Sequence, residues 1–292
     1  MQLSSVVSVF LRFIYVVIGI ILLNAFVGLF SYTHGIQLNV SLFIDNVLYI
    51  VKSLIFTENL VILGPTNHEY SIFTSFWEYY FYSLIIFICA LFISILLGLM
   101  ITYITILLPL KVNAIVTKVV SFLESLPDLL IIMVIQFSVI YYFQKTGTLL
   151  FPVAGSSQNK SYFLPIITLA LIPAFMIFRI NLYLVNEEWK KSYVELARGK
   201  GLNKTTIFFS HVLRNVTASM FSHSKTTVLY LLSSMVIFEQ LFNINGIFTY
   251  IIRFPDPNVI AFTLIMFFLP IFILYAIITT VIEKNTGQRL EW

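Results

Sequence analysis

The chain has 292 residues, 59% of them hydrophobic and only 10% charged, with one cysteine and a net charge of +4. Soluble globular domains run at roughly 45–50% apolar and 25% charged residues, so the composition excludes that class and identifies an integral membrane protein. A lone Cys89 excludes an internal disulfide or redox pair, and four scattered histidines offer no metal cluster. The basic excess is assigned to membrane surfaces and not to nucleic acid.

Unpaired backbone groups are so costly in hydrocarbon that only helices or a closed barrel can span it. The long apolar runs here lack a barrel's two-residue alternation, so the fold class is all-α. A first span runs from Phe10 to Phe30, about 31 Å of helix, and its apolar core exceeds the 7–15 residues usual in a signal peptide, which favours a retained anchor. Ser31 to Phe76 is mixed. Leu42 to Leu63 is apolar but interrupted by Asp45, Lys52, Glu58 and Asn59, and is expected to be external and partly helical. Trp77, Tyr79, Tyr80 and Tyr82 form an aromatic belt before a second span that stops at Pro109.

A third helix, from about Ala114 to Phe143, carries Glu124, Ser125, Pro127 and Asp128 in its first half. The proline implies a kink or break. Carboxylates within a span are costly unless they face protein or water, so Glu124 and Asp128 either line a cavity or lie near the inner interface. Lys145 to Ser161 forms an external loop. A fourth span runs from Tyr162 to Val185, with Pro165 in its first turn, Pro173 at an expected kink and Arg179 snorkelling inward.

Next comes a polar island, Asn186 to Val216. It is expected to form two short helices meeting at glycines: Asn186 caps the first, with Glu187 and Glu188 in its opening turn, and Gly199 and Gly201 end it. Asn203 caps the second, on which Ile207, Phe208, His211, Val212 and Asn215 share a face. A fifth span follows from about Ala218 to Phe242. Its Lys225 and Glu239 are about 21 Å apart along a helix, so each needs another partner. A short external excursion, Asn243 to Asn258, leads to a sixth span, Val259 to Ile282. The expected organisation is an N-terminal helix with its external segment, residues 1–76, and a five-helix core, residues 77–292.

With both termini inside, Arg12, Lys111, Lys118, Arg179, Lys190, Lys191, Arg198, Lys200, Lys204, Arg214, Lys284 and Arg289 are internal. Only Lys52, Lys145, Lys160 and Arg253 are external. The positive-inside rule then makes the polar island cytoplasmic. No GxxxxGK(S/T), HExxH or GxSxG motif is present, so an ATP-driven machine would need a separate ATPase.

Glu195, Ala197 and Gly201 in ELARGKG match the EAA loop of permease subunits of binding-protein-dependent ABC importers. The wider run YVELARGKGL followed by HVLRN resembles the oligopeptide, dipeptide and nickel branch. Further echoes are Ser125 and Pro127, the Pro-Val-Ala-Gly run ending at Gly155, and FEQLFNINGI from Phe238 to Ile247. Against the family's pattern, Gly199 replaces an alanine, Asn245 a proline and Phe248 a glycine.

What the resemblance implies is a type I importer permease fold of six helices in the bacterial cytoplasmic membrane. Residues 186–216 would then be the coupling loop, and the chain itself would be no enzyme. Implied partners are ABC ATPase subunits that bind ATP and Mg, a sister permease and an external substrate-binding protein. The chain itself binds no cofactor in this reading, and touches lipid but no nucleic acid. The coupling residues are Trp189, Tyr193, Leu196 and Ala197 as an apolar face, Glu195, Lys190 and Arg198 as charges for the partner, Gly201 and Leu202 at the bend, and His211 and Arg214 on the second helix. Glu124, Asp128 and Lys225 are candidates for the solute path. Competing readings are an ATP-independent secondary transporter or channel, a nickel or metal-chelate importer permease, and a membrane sensor or immunity protein that kept the fold.

Overall fold

A computed structural model describes residues 2–31, 37–63, 68–156 and 159–286. In chain order it contains α1 (Gln2–Ala25), two antiparallel two-residue strands β1 (Phe30–Ser31) and β2 (Gln37–Leu38), α2 (Val40–Ile55), and a second small hairpin of β3 (Val61–Leu63) and β4 (Glu69–Ser71). Then come α3 (Phe76–Leu107), α4 (Leu110–Glu124), α5 (Asp128–Thr146), α6 (Phe163–Glu188), α7 (Ser192–Gly199) and α8 (Lys204–Ile207). After a π-helical turn, Phe208–Val212, follow α9 (Leu213–Leu241), α10 (Ile247–Arg253) and α11 (Pro257–Thr286). Residues 42–63 are partly helical, as expected. The C-terminal residues from 287 on, including Arg289, lie outside the described residues.

Among the described residues, four helices are long and apolar enough to cross a membrane: α3, α5, α6 and α11. The first expected span falls on α1, in which Phe10–Ala25 is apolar. The fifth, α9, has 29 residues but carries Arg214, Asn215, His223, Lys225 and Glu239.

The expected third span is two helices. Leu126 precedes a proline and is steered away from helical geometry, and Pro127 has no N–H to donate, so α4 ends at Glu124 and α5 begins at Asp128. Ser125 Oγ donates to the Phe122 carbonyl at 2.7 Å, adding to the bond that carbonyl accepts from Ser125 N–H at 3.1 Å at the broken end. Asp128 places its charge in the first turn of α5, where the helix dipole favours it.

The chain divides into two compact units, residues 1–83 with 245–278, and residues 84–244 with 279–292. The first has an aromatic core in which Phe76 meets Tyr250 and Phe262 edge-on, at centroid distances of 5.9 and 5.1 Å. Ile247 N–H, the first donor of α10, is satisfied by Ser83 Oγ at 2.8 Å.

In the second unit α3 and α6 approach closely at Gly98. A Cβ built there would lie 2.6 Å from Ile177 Cγ2 and 3.0 Å from the Ala174 carbonyl oxygen, so a side chain would force its neighbours to shift. The Pro-Val-Ala-Gly and Phe-Asn-Ile-Asn segments, far apart in sequence, are joined. Gly155 N–H donates to the Phe242 carbonyl at 2.7 Å, and Asn243 Nδ2 returns a bond to the Gly155 carbonyl at 2.8 Å. Asn243 has a φ of 48° and closes α9 as a Schellman turn, with Ile244 N–H bonded to the Glu239 carbonyl at 2.7 Å. Asparagine is one of the few side chains that suits this left-handed position.

Candidate coupling site

The polar island does not fold as two short helices between two spans. Asn186 caps nothing: it lies inside α6, which continues to Glu188. No glycine or proline occurs between Pro173 and Gly199, so nothing local stops the helix at Val185, and the span overruns its expected end. The short helix is α7, with Lys191 at its N-cap position. The carboxylates of Glu187 and Glu188 therefore sit at a helix C-terminus, where the dipole disfavours negative charge, and not in an opening turn. Lysines compensate: Lys190 Nζ lies 2.7 Å from Glu187 Oε1, and Lys191 Nζ lies 2.6 Å from Glu188 Oε2.

Glu188 is buried, and its other oxygen accepts from the Tyr193 hydroxyl at 2.9 Å. Asn215, from the HVLRN run on α9, belongs to the same network. Burial, with the Glu188 carboxylate alongside, pushes the Tyr193 phenol up to about 12. One network thus joins the end of α6, the start of α7 and the first turn of α9. Asn215 is the member of HVLRN that ties the second helix to the loop, whereas Arg214 is exposed and His211 half-buried.

Beneath this network Val194, Ala197, Ile207, Phe208, Val212 and Val216 form a buried cluster with Val185, and Trp189 and Tyr193 pack against it. Each large side chain fully buried there contributes about 1.5–3 kcal/mol. Ala197, grouped above with Leu196 in one outward apolar face, turns inward instead. The outward face of α7 holds Glu195, Leu196 and Arg198, with Leu196 61% exposed. The Arg198 guanidinium lies over the Trp189 ring, 5.5 Å from its centroid. Among the described residues Glu195 has no salt bridge.

Gly201 closes α7 with a φ of 79°, a Schellman turn in which Gly201 N–H bonds the Arg198 carbonyl at 2.9 Å and Leu202 N–H the Ala197 carbonyl at 3.2 Å. A Cβ at Gly201 would meet nothing within 4 Å. Within this chain the glycine is required by backbone conformation and not by crowding. Asn203 caps α8, its Oδ1 accepting from Thr206 N–H at 2.8 Å. With no glycine or proline from Lys204 to Leu241, that second helix runs straight into α9.

The solute-path candidates are held by other helices. Glu124 Oε1 is 3.0 Å from Arg179 Nη2 on α6. Asp128 accepts hydrogen bonds from Tyr230 through Oδ1 and from Ser234 through Oδ2, the latter at 2.8 Å, both from α9. Lys225 is half-buried on α9, five residues before Tyr230. Tyr230, Ser234 and Gly98 were not among the residues expected from the sequence to matter. The i, i+4 spacing of Tyr230 and Ser234 on one helix face was the signal available for two of them.

A family model described as binding-protein-dependent transport system inner membrane component matches residues 94–287, which include the whole polar island. Dipeptide transport system permease protein DppB of Lactococcus lactis is 28% identical over 145 residues, covering 49% of this chain and 48% of that one. The protein of the same name from Haemophilus influenzae is 34% identical over 102 residues, covering 34% and 31%. Metal-staphylopine import system permease protein CntB of Staphylococcus aureus is 26% identical over 180 residues, covering 60% and 55%. The chain thus spans between about a third and just over half of the length of these relatives.

Proposed function

Because the chain belongs to the family of binding-protein-dependent transport system inner membrane components, we propose that it is the permease subunit of an ATP-driven importer. It crosses the cytoplasmic membrane six times with both termini inside, and pairs with a sister permease to enclose the solute path. A separate ATPase holds ATP and Mg, and an external binding protein delivers the cargo. The observation that carries this reading is the build of α7. Its inner side is anchored in a buried cluster, while Glu195, Leu196 and Arg198 face outward. A short helix fixed on one side and chemically open on the other is suited to passing a partner's movement into α6 and α9.

Glu195, Leu196, Arg198, Gly201 and Leu202 then form the docking surface, and Trp189, Tyr193 and Ala197 support it from within. Glu124, Asp128 and Lys225, with the partners of the two carboxylates, are assigned to the walls of the solute path, since polar groups at membrane depth face protein or water. The dipeptide relatives favour peptides or solutes of similar size as cargo. A metal-chelate cargo is the second reading, favoured by the similarity to the metal-staphylopine permease over 60% of this chain.

The test is reconstitution of the complex that co-purifies with the chain, including its ATPase and sister permease. Gly201→Asp is expected to leave the chain in the membrane while abolishing solute-stimulated ATP hydrolysis. Unchanged stimulation would overturn the coupling assignment, and uptake by the purified chain alone would favour an ATP-independent transporter.

A further inference from the structure

Helix α2 has 16 residues, roughly 24 Å at 1.5 Å per residue, short of the roughly 30 Å needed to cross hydrocarbon. It carries two apolar faces. Phe43, Val47, Ile50 and Leu54 pack with Ile20, Ile21 and Ala25 at the end of α1 and with Ala261 near the start of α11. Asn258 Nδ2 donates to the Tyr49 hydroxyl at 3.2 Å at the same end of α11. The helix therefore rests where one long apolar helix ends and another begins.

The second face is Val40, Ile44, Leu48, Val51 and Ile55, spaced by three and four residues as a single stripe. Val40, Ile44, Leu48 and Ile55 are 59, 50, 61 and 68% exposed. Ser41, Asp45 and Lys52 form the adjoining ridge, about 100° further round the helix. We propose that α2 is an interfacial helix, lying along the membrane surface with this stripe among the acyl chains and Asp45 and Lys52 toward water.

Three observations favour lipid over a protein partner. The stripe is wholly aliphatic, whereas protein interfaces are enriched in aromatic residues, Met and Arg. The adjoining end of α1 exposes Leu22 and Leu23, and Phe26 just beyond it is exposed too, extending the apolar belt. And α2 packs at the mouth of α11, a helix long enough to span. The inference goes beyond the importer reading and holds for any membrane protein with this unit.

The test uses the full chain in liposomes, with its single cysteine replaced by Cys89→Ser. Nitroxide labels are placed one at a time through Ile44→Cys, Leu48→Cys, Ile55→Cys, Asp45→Cys and Lys52→Cys. At the three stripe positions, relaxation by oxygen is expected to exceed relaxation by a water-soluble nickel chelate several-fold, with the order reversed at Asp45 and Lys52. Nickel dominating at the stripe would overturn the proposal, as would exclusion of both reagents, which would mean a protein cover. In the unmodified protein, a diazirine lipid should label the peptide spanning residues 40–55, and its failure to do so would equally overturn the proposal.

Discussion

The carboxylate of Glu188, at the end of α6, accepts a hydrogen bond from Tyr193, in the first turn of α7, at 2.9 Å. The two residues flank the linker on which α7 turns away from the membrane helix, so this bond fixes the short helix relative to the long one. A hydrogen bond to a charged group contributes about 1.5–3 kcal/mol when shielded and less where water reaches it.

Tyr193→Phe should therefore loosen α7 without unfolding the protein. Hydrogen exchange of residues 192–199 is expected to rise several-fold, with α3 and α5 unchanged. The Tyr193 pKa is raised in the folded state from 10.0 to about 12. Its contribution is present below pH 10 and is lost as pH rises toward 12. The pH-dependent loss of α7 protection over that window should disappear in Tyr193→Phe, and persistence of the same profile would show that another group titrates.

Gly201→Ala places a Cβ in a left-handed turn, which costs about 1–2 kcal/mol. Thermal unfolding in detergent should register that loss, with Gly201→Asn milder because asparagine tolerates the conformation. Gly199 has a helical neighbourhood with open space at its Cβ position, so Gly199→Ala should be neutral or stabilising by up to about 1 kcal/mol. Equal effects at the two glycines would contradict the distinction.

At Gly98 crowding is the constraint. Gly98→Ala should destabilise the second unit by about 1–3 kcal/mol through overpacking against Ile177. Ile177→Ala in the same chain should recover only part of the loss, because the Ile177 Cβ and the Ala174 carbonyl also stand in the way. Full recovery, read from the melting temperature, would show that only the Ile177 side-chain tip matters.

Asp128 joins α5 to α9 through Tyr230 and Ser234. Interhelical hydrogen bonds in membranes average about 0.6 kcal/mol and reach about 2 kcal/mol. A double-mutant cycle of Asp128→Asn with Tyr230→Phe should give a coupling energy in that range. Strict additivity would mean that the two side chains do not interact in the membrane.

Much of this architecture was legible in the chain. Pro127 announced the break between α4 and α5, because its missing N–H and its clash with the preceding residue act within one turn. Asn203 announced its cap and Gly201 its bend for the same local reason. Asn186 misled, since a capping residue caps only where a helix begins, and nothing in the neighbouring residues stops α6 before Glu188.

The sequence by itself determined that the protein is helical and membrane-embedded, that the polar island is its conspicuous interruption, and where several of its turns fall. Composition and turn chemistry are properties of neighbours, readable without folding. Only the tertiary structure decided that Ala197 faces inward, that Glu188 answers Tyr193 and Asn215, that Asp128 meets a helix about a hundred residues away, and that a Cβ at Gly98 would crowd Ile177 and Ala174. Those assignments depend on which surfaces come together when the helices pack, and sequence separation carries no record of that choice.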